Sequence, residues 1–124
     1  SEIYVLGPEY DGKGNMIFRD NLVRMIKDKR VLVLISCITS GKTVERAIES
    51  VKYYGGRPVG ISAAFSATKE IAGIEVNAIF TQKDIPGYRV YNKHDCPLCK
   101  QDIPVKAIAN GHGYSTLPEI KSSF

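Results

Sequence analysis

The stretch V-L-V-L-I-S-C-I-T-S-G-K-T, Val31–Thr43, decides how the chain is read. Its first part, Val31–Ser36, is a run of β-branched and aliphatic residues without polar alternation. Such a run predicts a strand buried on both faces, as in a parallel sheet covered by helices. The chain then passes through small and hydroxyl residues and enters a helix at once. A junction of this kind aims several backbone N–H groups at one point, backed by the positive end of the helix dipole. Thr39, Ser40 and Thr43 add hydroxyl donors, and Gly41 lets the backbone approach without a Cβ. A phosphate monoester suits this arrangement. A helix capped by Thr39 or Ser40 with no ligand would use the same residue types; the strand before and the Gly41-Lys42-Thr43 after favour the phosphate.

Downstream, Val44, Ala47, Ile48, Val51 and Tyr54 recur at spacings of three and four, with Glu45, Arg46, Glu49 and Lys52 on the other face. This predicts an amphipathic helix, ended by Gly55-Gly56. Val59–Phe65 reads as a second buried strand, Thr68–Ala72 as a short helical turn stopped by Gly73, and Val76–Phe80 as a third strand. Upstream, Ile3–Leu6 is expected as a strand, Glu9–Asn15 as a mobile loop or hairpin tip, and Arg19–Lys29 as a short amphipathic helix. The alternation is the rhythm of an α/β protein with an open, mainly parallel sheet and flanking helices. Asp84–Gly87 is expected as a turn and Tyr88–Tyr91 as a last short strand. From Lys93 periodicity is lost. The expected organisation is a partial α/β core over residues 1–92 and an irregular tail over 93–124.

With 124 residues, 44% of them hydrophobic and 24% charged, the chain suits one domain with one core. Its longest apolar run, Val31–Ile35, is far short of a membrane span, and no signal segment opens it, so a cytoplasmic location is expected. A net charge of +4 suits anionic ligands without singling out nucleic acid. Basic residues are scattered apart from Lys27, Lys29 and Arg30, which read as a solvated helix end. Tyr53-Tyr54 reads as packing. No aromatic-interleaved basic stripe is present, so no nucleic-acid partner is expected.

Two families place Gly-Lys-Thr after a strand. The P-loop pattern G-x-x-x-x-G-K-[ST] needs a glycine where this chain has Ser36, and the strand Val76–Phe80 runs into Thr81 rather than a magnesium-holding Asp. The segment instead resembles the phosphoribosyl-diphosphate motif of type I phosphoribosyltransferases. That motif is an apolar strand, two acidic residues, two apolar residues, Thr, a small residue, Gly, Lys and Thr. Ile38-Thr39-Ser40-Gly41-Lys42-Thr43 match it, and Val44–Gly60 continues similarly. The tail D-C-P-L-C-K-Q-D-I-P-V, residues 95–105, resembles a C-terminal element of some orotate phosphoribosyltransferases, which narrows the likeness to that family.

The resemblance implies that Ile38–Thr43 hold the 5′-phosphate of phosphoribosyl diphosphate or of a nucleoside 5′-monophosphate. It implies transfer of phosphoribosyl to orotate with Mg2+, Ser36 on the ribose side, and a homodimer. It would make Lys13, in the Gly12/Gly14 loop, the catalytic cation supplied to the leaving diphosphate; from the residues alone that loop is an exposed hairpin tip. Where the family carries its acidic pair, this chain has Ile35 and Ser36. Losing two carboxylates from a site dominated by electrostatic stabilisation keeps a non-catalytic phosphoribosyl or nucleotide binder open beside the enzyme. The family's earlier strands and hood have no counterpart before Ile3, so a fragment, or a shortened member completed by association, is expected.

Three cysteines without a secretory signal argue for thiols. Cys96 and Cys99 form a C-x-x-C pair that admits a structural turn, a Zn2+ half-site or redox chemistry. A zinc-stabilised interaction domain would need His94, His112 or Cys37 to complete the ligand set.

Overall fold

The computed structural model describes residues 2–118. Contacts divide the chain into two compact units that meet between Val90 and Tyr91.

The first unit is built on β3 (Arg30–Ile38), α2 (Lys42–Tyr53), β4 (Arg57–Ser66) and β6 (Ile74–Thr81). Before them come a two-residue hairpin, β1 (Glu9–Tyr10) with β2 (Met16–Ile17), and the single turn α1 (Asp20–Val23). β5 (Glu70–Ile71) pairs antiparallel with β6, giving the strand order β3-β4-β6-β5. β3, β4 and β6 run parallel, with Val33 beside Ile61 and Ile61 beside Val76. α2 is the crossover that parallel neighbours require.

α2 forms where its periodicity predicts and buries Val44, Ala47, Ile48 and Val51. Ile38, Val44, Ile48, Ile61, Ala63 and Ile71 make the core, with Val33, Ile35, Val76 and Ala78 packed against it. The helix closes through Gly55 at φ +82°, with the Gly55 and Gly56 N–H groups donating to Lys52 and Val51 carbonyls; glycine takes this conformation without steric cost. Beside this end, Tyr54 packs edge-on against Phe18 at 5.5 Å, while Tyr53 lies exposed.

Several expectations are corrected. Within the first unit, and among the described residues, α2 covers one face of the sheet. Along β3, half-buried Val31, Val33 and Ile35 alternate with exposed Leu32, Leu34 and Ser36, and Leu34 and Ile79 are 68% and 75% exposed. The apolar run therefore marks a sheet built for two covers of which α2 supplies one. Ile3–Leu6 forms no strand; it has no ladder partner, and pairing begins at Glu9. The helix over Arg19–Lys29 is confined to Asp20–Val23 and gives way to turns ending at Asp28, which has φ +61°. Phe18 and Ile26 anchor this segment in buried positions.

Thr68–Ala72 is not helical. Ala72 and Gly73, at φ +51° and +78°, are the two-residue loop of the β5–β6 hairpin, and both central residues of a type I′ turn need positive φ. Tyr88–Tyr91 forms no strand; Tyr88 packs edge-on against Phe65 at 4.9 Å.

The second unit is more regular than its sequence suggests. It holds α3 (Pro97–Lys100) and a hairpin of β7 (Ala107–Asn110) with β8 (Gly113–Thr116). The hairpin strands are exposed throughout, so no buried face imposes an apolar alternation. The expected tail residues 119–124 lie outside the described residues.

Candidate functional site

The carboxyl end of β3, the turn Thr39–Gly41 and the first turn of α2 enclose a small cavity of about 40 Å³. Ile38, Thr39, Ser40, Gly41, Lys42 and Thr43 all line it, together with Ile35, Cys37 and Val44. Gly41 is the N-cap residue at φ +81°, and no side chain caps the helix. The N-cap position thus falls on Gly41 rather than on Thr39 or Ser40. Intrahelical bonding starts with the Glu45 N–H donating to the Gly41 carbonyl at 2.9 Å. Among the described residues, no protein acceptor takes the N–H groups of Ser40 to Val44. They are the free N–H groups at the start of α2, where the helix dipole leaves partial positive charge.

Two contacts hold this turn. The Ala67 N–H donates to the Ile38 carbonyl at 2.9 Å, tying the end of β4 across the end of β3. Ser66, 3% exposed, directs that segment: its hydroxyl donates to the Thr68 carbonyl and accepts from the Thr68 N–H. Ile71 of β5 presses on Gly41, where an added Cβ would lie 3.1 Å from Ile71 Cδ1. Gly41 is thus required by its positive φ and by a hydrophobic neighbour as well as by backbone access. Sequence reasoning missed Ile71 and Ser66; the Ala72-Gly73 pair between Ile71 and Ile74 was the available sign of a hairpin.

Ser36 is not brought to this cavity. It lines a broad concavity of about 700 Å³ on the uncovered sheet face, with Leu34, Ser62, Ala64, Asn77 and Ile79. Ile35 borders both. The cavity lining carries hydroxyls and one lysine but no carboxylate, so it does not fit a magnesium ion held by the hard anionic ligands that ion prefers.

Lys13 sits at the β1–β2 hairpin tip and is absent from the lining of the cavity. The tip is organised by Asp11, whose carboxylate accepts from the Lys13 N–H, the Asn15 N–H and the Asn15 side-chain amide at 2.8–2.9 Å. The tip approaches α2, where a Cβ on Gly14 would lie 3.0 Å from an Arg46 guanidinium nitrogen. The Asn15 N–H and then its side chain hold the Asp11 carboxyl below its usual range. A lowered folded-state value means these bonds stabilise the hairpin above the unfolded pKa and are lost as pH falls through the folded one. Asn15 amide exchange, compared with peptide reference rates, should therefore lose protection below about pH 4. Asp11→Ala should remove that protection at neutral pH as well.

Cys96 and Cys99 come together on one turn, at the N-cap and third residue of α3. The backbone N–H of Cys99 is the main influence lowering the Cys96 thiol pKa, and the hydrogen bond and charge of Cys96 raise that of Cys99. No side-chain capping hydrogen bond of good geometry forms there, so the effect on Cys96 is that of a nearby N–H dipole. Among the described residues no group of three or more His, Cys, Asp or Glu is placed to hold a metal. A closed tetrahedral zinc site needs four ligands, and this pair supplies two.

The fold and turn define a class: an α/β domain in which a strand–turn–helix junction with unpartnered N–H groups lies at the carboxyl end of a parallel strand, where open α/β sheets bind ligands. The curated relatives agree with that class and narrow it, for the chain is similar to orotate phosphoribosyltransferases over their C-terminal part. The orotate phosphoribosyltransferase of Thermus thermophilus is 29% identical over 102 residues, covering 81% of this chain and 53% of the relative. Those of Caldanaerobacter subterraneus and Thermotoga maritima are 32% and 34% identical, covering 64% and 63% of this chain and 40% and 41% of their own length. The chain spans about half the length, or less, of these curated relatives. No family model matches it. No helix among the described residues is long and apolar enough to cross a membrane.

Proposed function

We propose that Ile38–Thr43 bind the 5′-phosphate of a phosphoribosyl ligand, either phosphoribosyl diphosphate or a nucleoside 5′-monophosphate, in an orotate phosphoribosyltransferase-type protein. The observation that carries this is the uncapped start of the 12-residue α2, with unpartnered N–H groups and the Thr39, Ser40 and Thr43 residues around one cavity. Lys42 adds the cation. In the transferase reading, phosphoribosyl passes from its diphosphate to a ring nitrogen of orotate, diphosphate leaves, and Lys13 meets the leaving group. Magnesium enters with the diphosphate as part of the substrate. A cytoplasmic homodimer belongs to the same reading; the uncovered sheet face and the unpaired edge of β3 support association.

A non-catalytic binder is the second reading. It is favoured by the half-buried Ile35 and by Ser36 on the other concavity, which leave the phosphate cavity without a carboxylate. Calorimetry with phosphoribosyl diphosphate, followed by an orotate turnover assay, separates the two: both bind, and only the enzyme turns over. No binding would sink both. Thr43→Val should weaken binding roughly ten- to a hundredfold, the worth of one hydrogen bond to a charged group at about 1.5–3 kcal/mol.

A further inference from the structure

We propose that Cys96 and Cys99 form a redox-active dithiol that exchanges with low-molecular-weight disulfides and closes to an internal disulfide. The case rests on how the turn holds them. Pro97 at the first helical position fixes its own φ. The Lys100 N–H donates to the Cys96 carbonyl at 3.1 Å, and the Ile103 N–H to the Leu98 carbonyl at 2.9 Å. Asp102 at φ +52° ends the turn, and Lys100 pairs with Asp95 across it. The two thiols are thus pre-positioned on a short turn closed at both ends. Cys96, at the extended N-cap position, and Cys99, in the first turn of α3, are close enough for their side chains to interact, and a disulfide requires their Cβ atoms at roughly 3.5–4.5 Å.

Cys99 is exposed and Cys96 partly so, which leaves both open to a small reagent. Metal chemistry would need ligands beyond the pair, whereas disulfide chemistry needs the pair alone. In the exchange, the Cys96 thiolate, facing the Cys99 N–H, attacks one sulfur of a small disulfide and expels one thiolate. Cys99 then attacks the Cys96 sulfur of the mixed disulfide and expels the second. Two protons pass from the cysteines to the two released thiolates. The protein dithiol is oxidised and the small disulfide is reduced to two thiols.

The test equilibrates the full chain with oxidised and reduced glutathione, quenches with acid, and reads mass and peptide map. The expected product has lost two hydrogens, is cross-linked between Cys96 and Cys99, and carries no lasting glutathione at either position. Cys99→Ser should instead retain one glutathione at Cys96, and dithiothreitol should restore the thiols in both proteins. The map keeps Cys37 separate. Three results would overturn the proposal: no internal disulfide at any glutathione ratio, disulfides that join two chains, or one zinc per chain that survives a competing chelator and shields both thiols. None of these touches the phosphoribosyl reading, which calorimetry tests independently.

Discussion

Gly41→Val is expected to abolish phosphoribosyl binding and to cost roughly 2–5 kcal/mol of stability, from left-handed strain and overpacking together. Gly41 holds φ +81°, a conformation that is a genuine outlier for a β-branched residue. Its Cβ would also arrive 3.1 Å from Ile71 Cδ1, and the larger side chain pushes further into that contact. Typical domains are stable by only about 5–15 kcal/mol, so the loss is large. The urea midpoint reads the stability effect, and calorimetry at a temperature where the variant is still folded reads the binding. Gly41→Ala should fall between, because the end of the Ile71 side chain can yield while φ cannot. An unchanged midpoint in Gly41→Val would show that the turn does not need its left-handed residue.

Ile61→Ala should be at least as damaging to the fold, at about 2–5 kcal/mol for truncating a buried isoleucine. Ile61 has 0% exposure on the central strand β4, registered between Val33 and Val76 and packed in the cluster with Ile48 and Val44. Leu34→Ala is the informative contrast. Leu34 lies on the uncovered face, so in a monomer the change should stay within about ±0.5 kcal/mol. A loss comparable to that of Ile61→Ala, with a midpoint that depends on protein concentration, would show the face buried in the proposed homodimer.

The parts of the fold that were legible in sequence are those set by local periodicity. Val44, Ala47, Ile48 and Val51 announce α2 because one helical face is buried, and Gly55-Gly56 announce its end. The strand before the turn was legible as a strand but not in its surroundings. An apolar run at Val31–Ile35 records that β3 suits two covered faces, while α2 covers one. Pairing partners were harder to read. Ile3–Leu6 looks like a strand until one asks what it would pair with. Glu70-Ile71 is too short to show a period, so Ala72-Gly73 read as a helix stop rather than as a hairpin turn.

Within the candidate site, residues 38–43 could be grouped because they are contiguous along one strand–turn–helix junction. The resemblance sets Ser36 apart from them on the ribose side, but strict alternation would put it on the same face as Ile38; the pattern breaks at Ser36 and Cys37, both exposed, before Ile38 is buried. Ile71 and Ser66 act on the junction from distant positions in the chain, and their contribution is visible only once the strands are ordered.

The position of β3 at the end of the sheet also has a dynamic consequence. Among the described residues β4 is bonded on both sides, whereas β3 is bonded to β4 alone, and the Ala67-to-Ile38 hydrogen bond fastens its far end. Opening of this edge can therefore proceed while β4 and β6 stay paired, as a sub-global excursion cheaper than unfolding the unit. The candidate loop belongs to the part that opens. A ligand seated there would gather this edge strand into the most cooperative portion of the molecule, and the Ala67 amide is the natural reporter of that tightening.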